Sequence, residues 1–439
     1  MKTPIFDFVQ GYAASGVSRF HMPGHKGAPR LGCEPFDITE VAGADVLYAP
    51  NGIIAESEQN ATALFGTAHT YYSAEGSTLA IKAMLALALP QDGRRKTVLA
   101  ARNAHKAFLY AAALLDFDVE WIYPLNGSHF CTCPVTAAQV EQACDTHRPD
   151  AIYLTSPDYL GQMADVAAIA AVCDRYGIPL LVDNAHGAYL KFLPEDLHPI
   201  TLGATMCCDS AHKTLPVLTG GAYLHISPKA AHLCEDAREK LALFASTSPS
   251  YLILQSLDLC NAYLADGYAE KLRECVQSID RLKQISAQTG IEIAEGEPLK
   301  MVLTNVDGEA AATALRAHDV EVEFADADAL VLMLTPENTA RDMERLESAL
   351  STLTVCQKKA SAATLPVLPR PAMRMTVREA LLRAHEVLPV EKAVGRICGA
   401  PAVSCPPAIP IAVCGEEITP QTVSFFRYYG VESVPVVKE

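Results

Sequence analysis

The feature that most limits what this chain can fold into is a rhythm between residues 51 and 250. Short apolar runs at 97–101, 119–123, 151–155, 179–183 and 222–226 alternate with stretches whose apolar residues recur at helical spacing, as at 77–89 and 166–176. Runs this short read as strands, and their near-continuous apolar character marks strands covered on both faces. Parallel strands need a crossover between them, which the intervening helices supply. Residues 51–250 therefore read as a large α/β domain with a mostly parallel sheet. Ligands of such sheets sit outside the carboxyl ends of the strands, so the residues that end these runs are the first functional candidates.

The rest of the chain is organised differently. Residues 1–50 are irregular, rich in Gly and Pro, and too poor in apolar pattern for a core of their own; they read as an arm lying across another domain or subunit. Residues 251–355 read as a small α+β domain: a long helix over 251–289, a strand at 300–305, a helix at 308–317, strands at 320–324 and 329–334, and a helix at 339–353. Residues 356–371, with Lys358, Lys359 and three prolines, read as a linker, and residues 372–439 as a short C-terminal module.

Charge and cysteine usage exclude several functions. A net charge of −16 disfavours nucleic acid or an anionic membrane as partner, since both reward clustered Lys and Arg. The 14 cysteines are scattered without a C-x-x-C pair, the nearest groupings being Cys131/Cys133 and Cys207/Cys208. No metal site is expected from that spacing, and a reducing compartment fits it better than a disulfide scaffold. The start lacks a basic-then-apolar leader, and apolar stretches such as 81–90 are too short to span a bilayer. A cytoplasmic protein is expected.

Four segments carry chemistry. Ser210-Ala-His-Lys213 follows a small and apolar run at 202–208. A single lysine at a turn is ordinarily a surface lysine. This one has a counterpart upstream: Asp183 stands at the carboxyl end of the strand read at 179–183, where a carboxylate is costly unless it meets a cation. The pyridinium nitrogen of pyridoxal 5'-phosphate is such a cation, and keeping it protonated makes that ring an electron sink. Glu75-Gly76-Ser77-Thr78 leads into a helix, where amides and hydroxyls can receive a phosphate, although Ser and Thr are also ordinary caps. Arg102-Asn-Ala-His105-Lys106 follows the strand at 97–101 and offers a ring to lie on a cofactor. A phosphate loop, a stacking residue, a strand-end Asp and a lysine, in that order, are the layout of the aspartate-aminotransferase-type fold.

On these segments the sequence resembles the ornithine/lysine/arginine decarboxylase family. Further matching stretches are His21-Met-Pro-Gly-His-Lys-Gly27, Asp37-Ile-Thr-Glu40 with Gly43 and Asp45, Thr155-Ser-Pro157 with Tyr159 and Gly161, Ala185-His-Gly187, Thr247-Ser-Pro-Ser-Tyr251, and Pro406-Pro-Ala-Ile-Pro410 with Gly415-Glu416. The resemblance implies a pyridoxal-phosphate enzyme that decarboxylates lysine, ornithine or arginine to an amine of the polyamine class. Lys213 would hold the cofactor as a Schiff base, Asp183 would pair with the pyridinium, and His105 would stack on the ring. Gly76, Ser77, Thr78, Ala185, Ser210 and His212 would hold or border the cofactor and its phosphate, and Thr247 or a neighbour would reach a phosphate across a dimer interface. The catalytic set is then Lys213, Asp183, His105 and His212, with the proton returned by Lys213 or His212. Glu40, Asp45 and Glu416 are candidates to meet a cationic substrate side chain. Where the family usually has Glu after the Asp and Asn before Gly-Ser-Thr, this chain has Asn184 and Glu75. Transamination or elimination on the same cofactor, or a homologue without turnover, are the other functions compatible with the pattern.

Overall fold

The computed structural model describes residues 1–124, 132–353, 369–403 and 410–438. Its centre is a seven-stranded sheet of β1 (His69–Ser73), β2 (Thr97–Ala101), β3 (Asp118–Ile122), β4 (Ala151–Thr155), β5 (Leu180–Asp183), β6 (Met206–Asp209) and β7 (Ala222–Ile226). The spatial order is β1-β7-β6-β5-β4-β2-β3. Pairings from β6 through β3 are parallel, and β7 runs antiparallel to both its neighbours. The sheet is mostly parallel, as the strand–helix rhythm indicates. Two of its strands escape the apolar pattern: β1 reads His-Thr-Tyr-Tyr-Ser, and β6 ends on an acid.

Alternation along the strands explains why the sheet is covered twice. Val98 and Ala100 of β2 join a core with Leu79, Ala83 and Met84 of the helix Gly76–Ala88 and with Phe108 of the helix Lys106–Leu115. Leu99 and Ala101 point the other way, to a core with Val140 of the helix Ala137–His147 and Ile169 of the helix Val166–Tyr176. Each fully buried Leu among them contributes roughly 1.5–3 kcal/mol. Register then brings the carboxyl ends level, with Thr155 beside Asp183 and Asp183 beside Cys208.

The stretch 251–289, which reads as one helix, is two, Tyr251–Ala265 and Tyr268–Gln288. Gly267 separates them at φ +77°, a left-handed conformation that glycine adopts at least cost. The smaller sheet follows, with β8 (Lys300–Leu303), β9 (Phe324–Ala325) and β10 (Leu330–Met333) in the antiparallel order β8-β10-β9. The run at 320–324 therefore contributes only its last residue to a strand. In the first 50 residues, which read as irregular, the helix Pro4–Ala14 forms and buries Ile5 and Val9. Its free N–H groups at Ile5 and Phe6 donate to the carboxylate of Asp258 at 2.9 and 3.0 Å, so a neighbouring helix supplies the cap.

The C-terminal part pairs β11 (His385–Pro389), with β12 (Ala402–Val403) and β13 (Ala412–Val413) following, and β14 (Ser433–Val437) closing back on β11. Val434, Val436 and Phe426 pack into the same core as Val182 and Cys207 of the large sheet. Most of the stretch that reads as a linker, 356–368, and the Pro-rich residues 406–409 lie outside the described residues.

Candidate active site

Asp183 ends β5 at 2% exposure. Its Oδ2 accepts the Tyr153 hydroxyl at 3.0 Å, and its Oδ1 accepts the Ala185 N–H at 3.2 Å and the Cys208 thiol at 3.7 Å. These neutral donors orient the carboxylate, and among the described residues no basic side chain forms an ion pair with it. Lys213 lies on the short turn of helix Ala211–Thr214 directly after β6, and its Nζ is 3.1 Å from His186 Nε2. Desolvation lowers the lysine's pKa from its ordinary value, against the opposing pull of Asp183 and Glu323. His186 is held well below the usual imidazole range, first by burial and then by the charges of Lys300 and Lys213, so it stands neutral beside the lysine.

His105 caps the helix Lys106–Leu115: its Nδ1 accepts the Ala107 N–H at 3.2 Å, which leaves Nε2 to carry the proton. The ring is open to a cavity but enclosed by the protein around it, and this desolvation is the leading cause of its lowered pKa. His212 directs Nδ1 to the Gly221 carbonyl at 3.0 Å, leaving its Nε2 side to the cavity. Across from these groups the helix Gly76–Ala88 begins with Gly76 at φ +70°, and Ser210 Oγ donates to Ser77 Oγ at 2.8 Å.

All of these side chains line one cavity of about 550 Å³, together with Thr78, Asn103, Thr155, Tyr159, Ala185, Pro401, Ala402 and Pro410. Pyridoxal phosphate fits this donor set. The hydroxyls of Ser77 and Thr78 stand at a helix N-terminus with Ser210 bonded to Ser77, Asp183 forms no ion pair with a basic side chain among the described residues, and among them both polar atoms of the Asn103 amide are buried without a partner. Thr247 does not line the cavity; it lies exposed beside Ser246, whose N–H donates to Glu75 at 2.6 Å. That bond also explains how the chain accommodates Glu75 next to the Gly76 turn: the carboxylate is exposed and engaged away from the hydroxyls.

The candidate substrate carboxylates are differently employed. Glu416 forms a buried, two-pronged ion pair with Arg102 at 2.7 and 2.8 Å. Asp45 accepts the N–H groups of Asn51, Gly52 and Ile54 ahead of the helix Ile53–Phe65. Glu40 is exposed and lines no part of the cavity. Glu323 does not itself line the cavity, but it accepts the hydroxyl of the cavity-lining Tyr159 at 2.8 Å and its charge opposes the lowering of the Lys213 pKa. Glu323 carries no sequence signal of its own, whereas His186 lies within the matching stretch Ala185-His-Gly187 but is given no role by it. Among the described residues, His198, Cys207 and Asp209 bring three potential metal ligands within 4.8 Å, a cluster the cysteine spacing does not suggest.

The fold and this cavity are those of the aspartate-aminotransferase-type scaffold of pyridoxal-phosphate enzymes. Residues 3–339 match the family described as Orn/Lys/Arg decarboxylase, major domain, and residues 355–433 match its C-terminal domain. The chain belongs to the Orn/Lys/Arg decarboxylase family. It is 29% identical to an arginine decarboxylase of Halalkalibacterium halodurans, over 99% of this chain and 95% of the relative. It is 30% identical to the uncharacterized protein YaaO of Bacillus subtilis, over 96% of this chain and 93% of the relative. Lysine decarboxylase LdcF of Francisella novicida shares the fold with a TM-score of 0.84 at 16% identity, covering 99% of this chain and 81% of that one. An alanine–glyoxylate aminotransferase of Nostoc shares it more distantly, at a TM-score of 0.57 and 17% identity over 69% of this chain and 87% of that one.

Proposed function

We propose that this protein decarboxylates a basic amino acid on pyridoxal 5'-phosphate, working as a cytoplasmic homodimer. The observation that carries the reading is the convergence of Lys213, the buried Asp183 carboxylate and the Ser77/Thr78/Ser210 hydroxyls on one cavity. Lys213 would bind the cofactor, Asp183 and Ala185 would lie along its ring, His105 would cover it, and Gly76, Ser77, Thr78, Ser210 and His212 would hold or border its phosphate. Bound there, pyridoxal phosphate supplies an electron sink for the pair left behind when carbon dioxide departs. Asp183 keeps a positive charge opposite itself, and Tyr153 and the Ala185 N–H keep its oxygens aimed. Lys213 Nζ delivers the proton that replaces carbon dioxide, and neutral His186 at 3.1 Å accepts or returns it.

Glu323, bonded to the cavity-lining Tyr159, would meet the cationic end of the substrate. A cationic side chain entering a cleft needs such a partner to offset the loss of water. Among the described residues the cavity is lined by Lys106 and Lys213 and by no arginine, so the arginine clamp that a transaminase usually places on the substrate carboxylate is not among them. The exposed apolar side chains of Val17, Phe20, Met22 and Leu31 support a second copy covering this arm, and Thr247 would then reach the partner's phosphate.

The test is a panel of arginine, lysine and ornithine assayed for amine and carbon dioxide. Arginine comes first, because relatives spanning nearly the whole chain carry the name arginine decarboxylase. Formation of a keto acid in place of carbon dioxide would overturn the reading, as would preference for an acidic or aromatic amino acid.

A further inference from the structure

The sheet face opposite Asp183 is organised around a single buried carboxylate. Asp209 closes β6, directly before Ser210, and is fully buried. Its Oδ2 accepts from His198 Nε2 and His225 Nε2, both at 3.1 Å, and its Oδ1 accepts the Asn184 side-chain amide at 2.7 Å. His225 is fixed in turn by Thr70, whose hydroxyl lies 2.9 Å from Nδ1. Asn184 is equally buried, immediately after Asp183. Its N–H donates to the Cys208 carbonyl at 2.9 Å and its carbonyl accepts the Gly187 N–H at 2.8 Å.

One side-chain hydrogen bond therefore ties the end of the strand that presents Asp183 to the end of the strand that leads into Ser210 and Lys213. We propose that Asn184 and Asp209 are a positioning pair that keeps Asp183 and the Ser210–Lys213 segment in register, and that the pair works only as one amide and one carboxylate. This accounts for the amide at 184 in a chain that resembles sequences with Glu there: the charge of this face sits at 209. A second carboxylate at 184 would meet the first at hydrogen-bond distance with no water between them, and one of the two would have to protonate or move away. Movement at either position pulls on a strand end that holds a cofactor-facing group.

The inference rests on Lys213 and Asp183 holding the cofactor, and its test is a charge swap. Asn184→Asp, Asp209→Asn and the double variant are compared for pyridoxal-phosphate dissociation constant, visible absorption of the bound cofactor, kcat at saturating cofactor, and thermal unfolding without cofactor. Asn184→Asp should weaken cofactor binding and lower kcat by about tenfold or more, a coupling within the range seen for residues in direct contact. The double variant restores one amide and one carboxylate, with the amide oxygen at position 209 still accepting from both histidines, and should return both quantities to within about threefold of the native chain. If Asn184→Asp does not fold but the double variant folds and binds cofactor, the pair is supported. A double variant no better than Asn184→Asp overturns it. So does an Asn184→Asp protein that only unfolds earlier, with native cofactor affinity, because the bond would then be structural alone. A native chain that takes up no pyridoxal phosphate would sink the proposed function instead, and is measured first.

Discussion

Replacing Glu416 by Gln separates a structural role from a substrate-binding one. Both partners of the Arg102–Glu416 pair are buried, with side chains 0% and 2% exposed, and the two N–H···O contacts are 2.7 and 2.8 Å. Burial works against the guanidinium, and Glu416 outweighs it, raising the Arg102 pKa. Removing one member of such a pair strands the other's charge, at about 3–5 kcal/mol. Gln keeps the shape and one acceptor oxygen, and Arg102 keeps its stacking on Trp121 and Tyr123 at 5.0 and 5.3 Å, so the lower end, about 3 kcal/mol, is expected. For a chain of 439 residues the unfolding entropy is about 0.9 kcal/mol per kelvin, which places the loss at about 3 °C in Tm. Thermal unfolding of the cofactor-free protein measures this, with the Michaelis constant for the preferred basic amino acid measured alongside. Arg102→Met combined with Glu416→Leu should recover most of the loss, since neither charge is then left buried. An unchanged Tm with a Michaelis constant raised tenfold or more would refute the structural assignment and return Glu416 to the substrate.

Further outcomes follow from the site. Lys213→Ala should lose the covalent cofactor link, the yellow colour that borohydride bleaches, and essentially all turnover; full activity would remove Lys213 from the chemistry. Asp183→Asn should keep the fold and lose most of kcat, because an amide cannot balance a pyridinium charge, and a near-native rate would mean another acid faces the ring. Glu323→Gln should raise the Michaelis constant for basic substrates by about tenfold, the equivalent of about 1.4 kcal/mol, with cofactor affinity unchanged. Burial pushes the Asp158 carboxyl up from its ordinary 3.8 to about 7. A raised folded-state value contributes stability that is fully present below the ordinary value and is lost as pH rises to about 7. Native stability should thus fall between about pH 4 and about pH 7, and Asp158→Asn, which can still accept the Gln162 N–H, should flatten that fall; parallel profiles would show that Asp158 does not titrate there.

Periodicity and strand-end chemistry are local properties of a sequence, and they carried the architecture of residues 97–183 and singled out Asp183 and Lys213, which line the same cavity. A buried strand announces itself by apolar neighbours, and an acid at its end is conspicuous because it is costly without a partner. Strand β1 escaped because hydroxyls interrupt that pattern, β6 because it is the short end of a longer run of small and apolar residues, and the break at Gly267 because one glycine barely alters a helical periodicity. What a side chain does once the chain has folded depends on its partner. Glu416 finds Arg102 from 314 positions away, and Glu323 meets Tyr159 from 164. No spacing rule links residues so far apart. The sequence by itself determined which residues could do the chemistry and in what order they occur. Only the tertiary structure decided which carboxylate neutralises a buried arginine, which one bonds the Tyr159 that lines the cavity, and that Asn184 answers Asp209, because packing alone sets which charges are left without water and what they meet there.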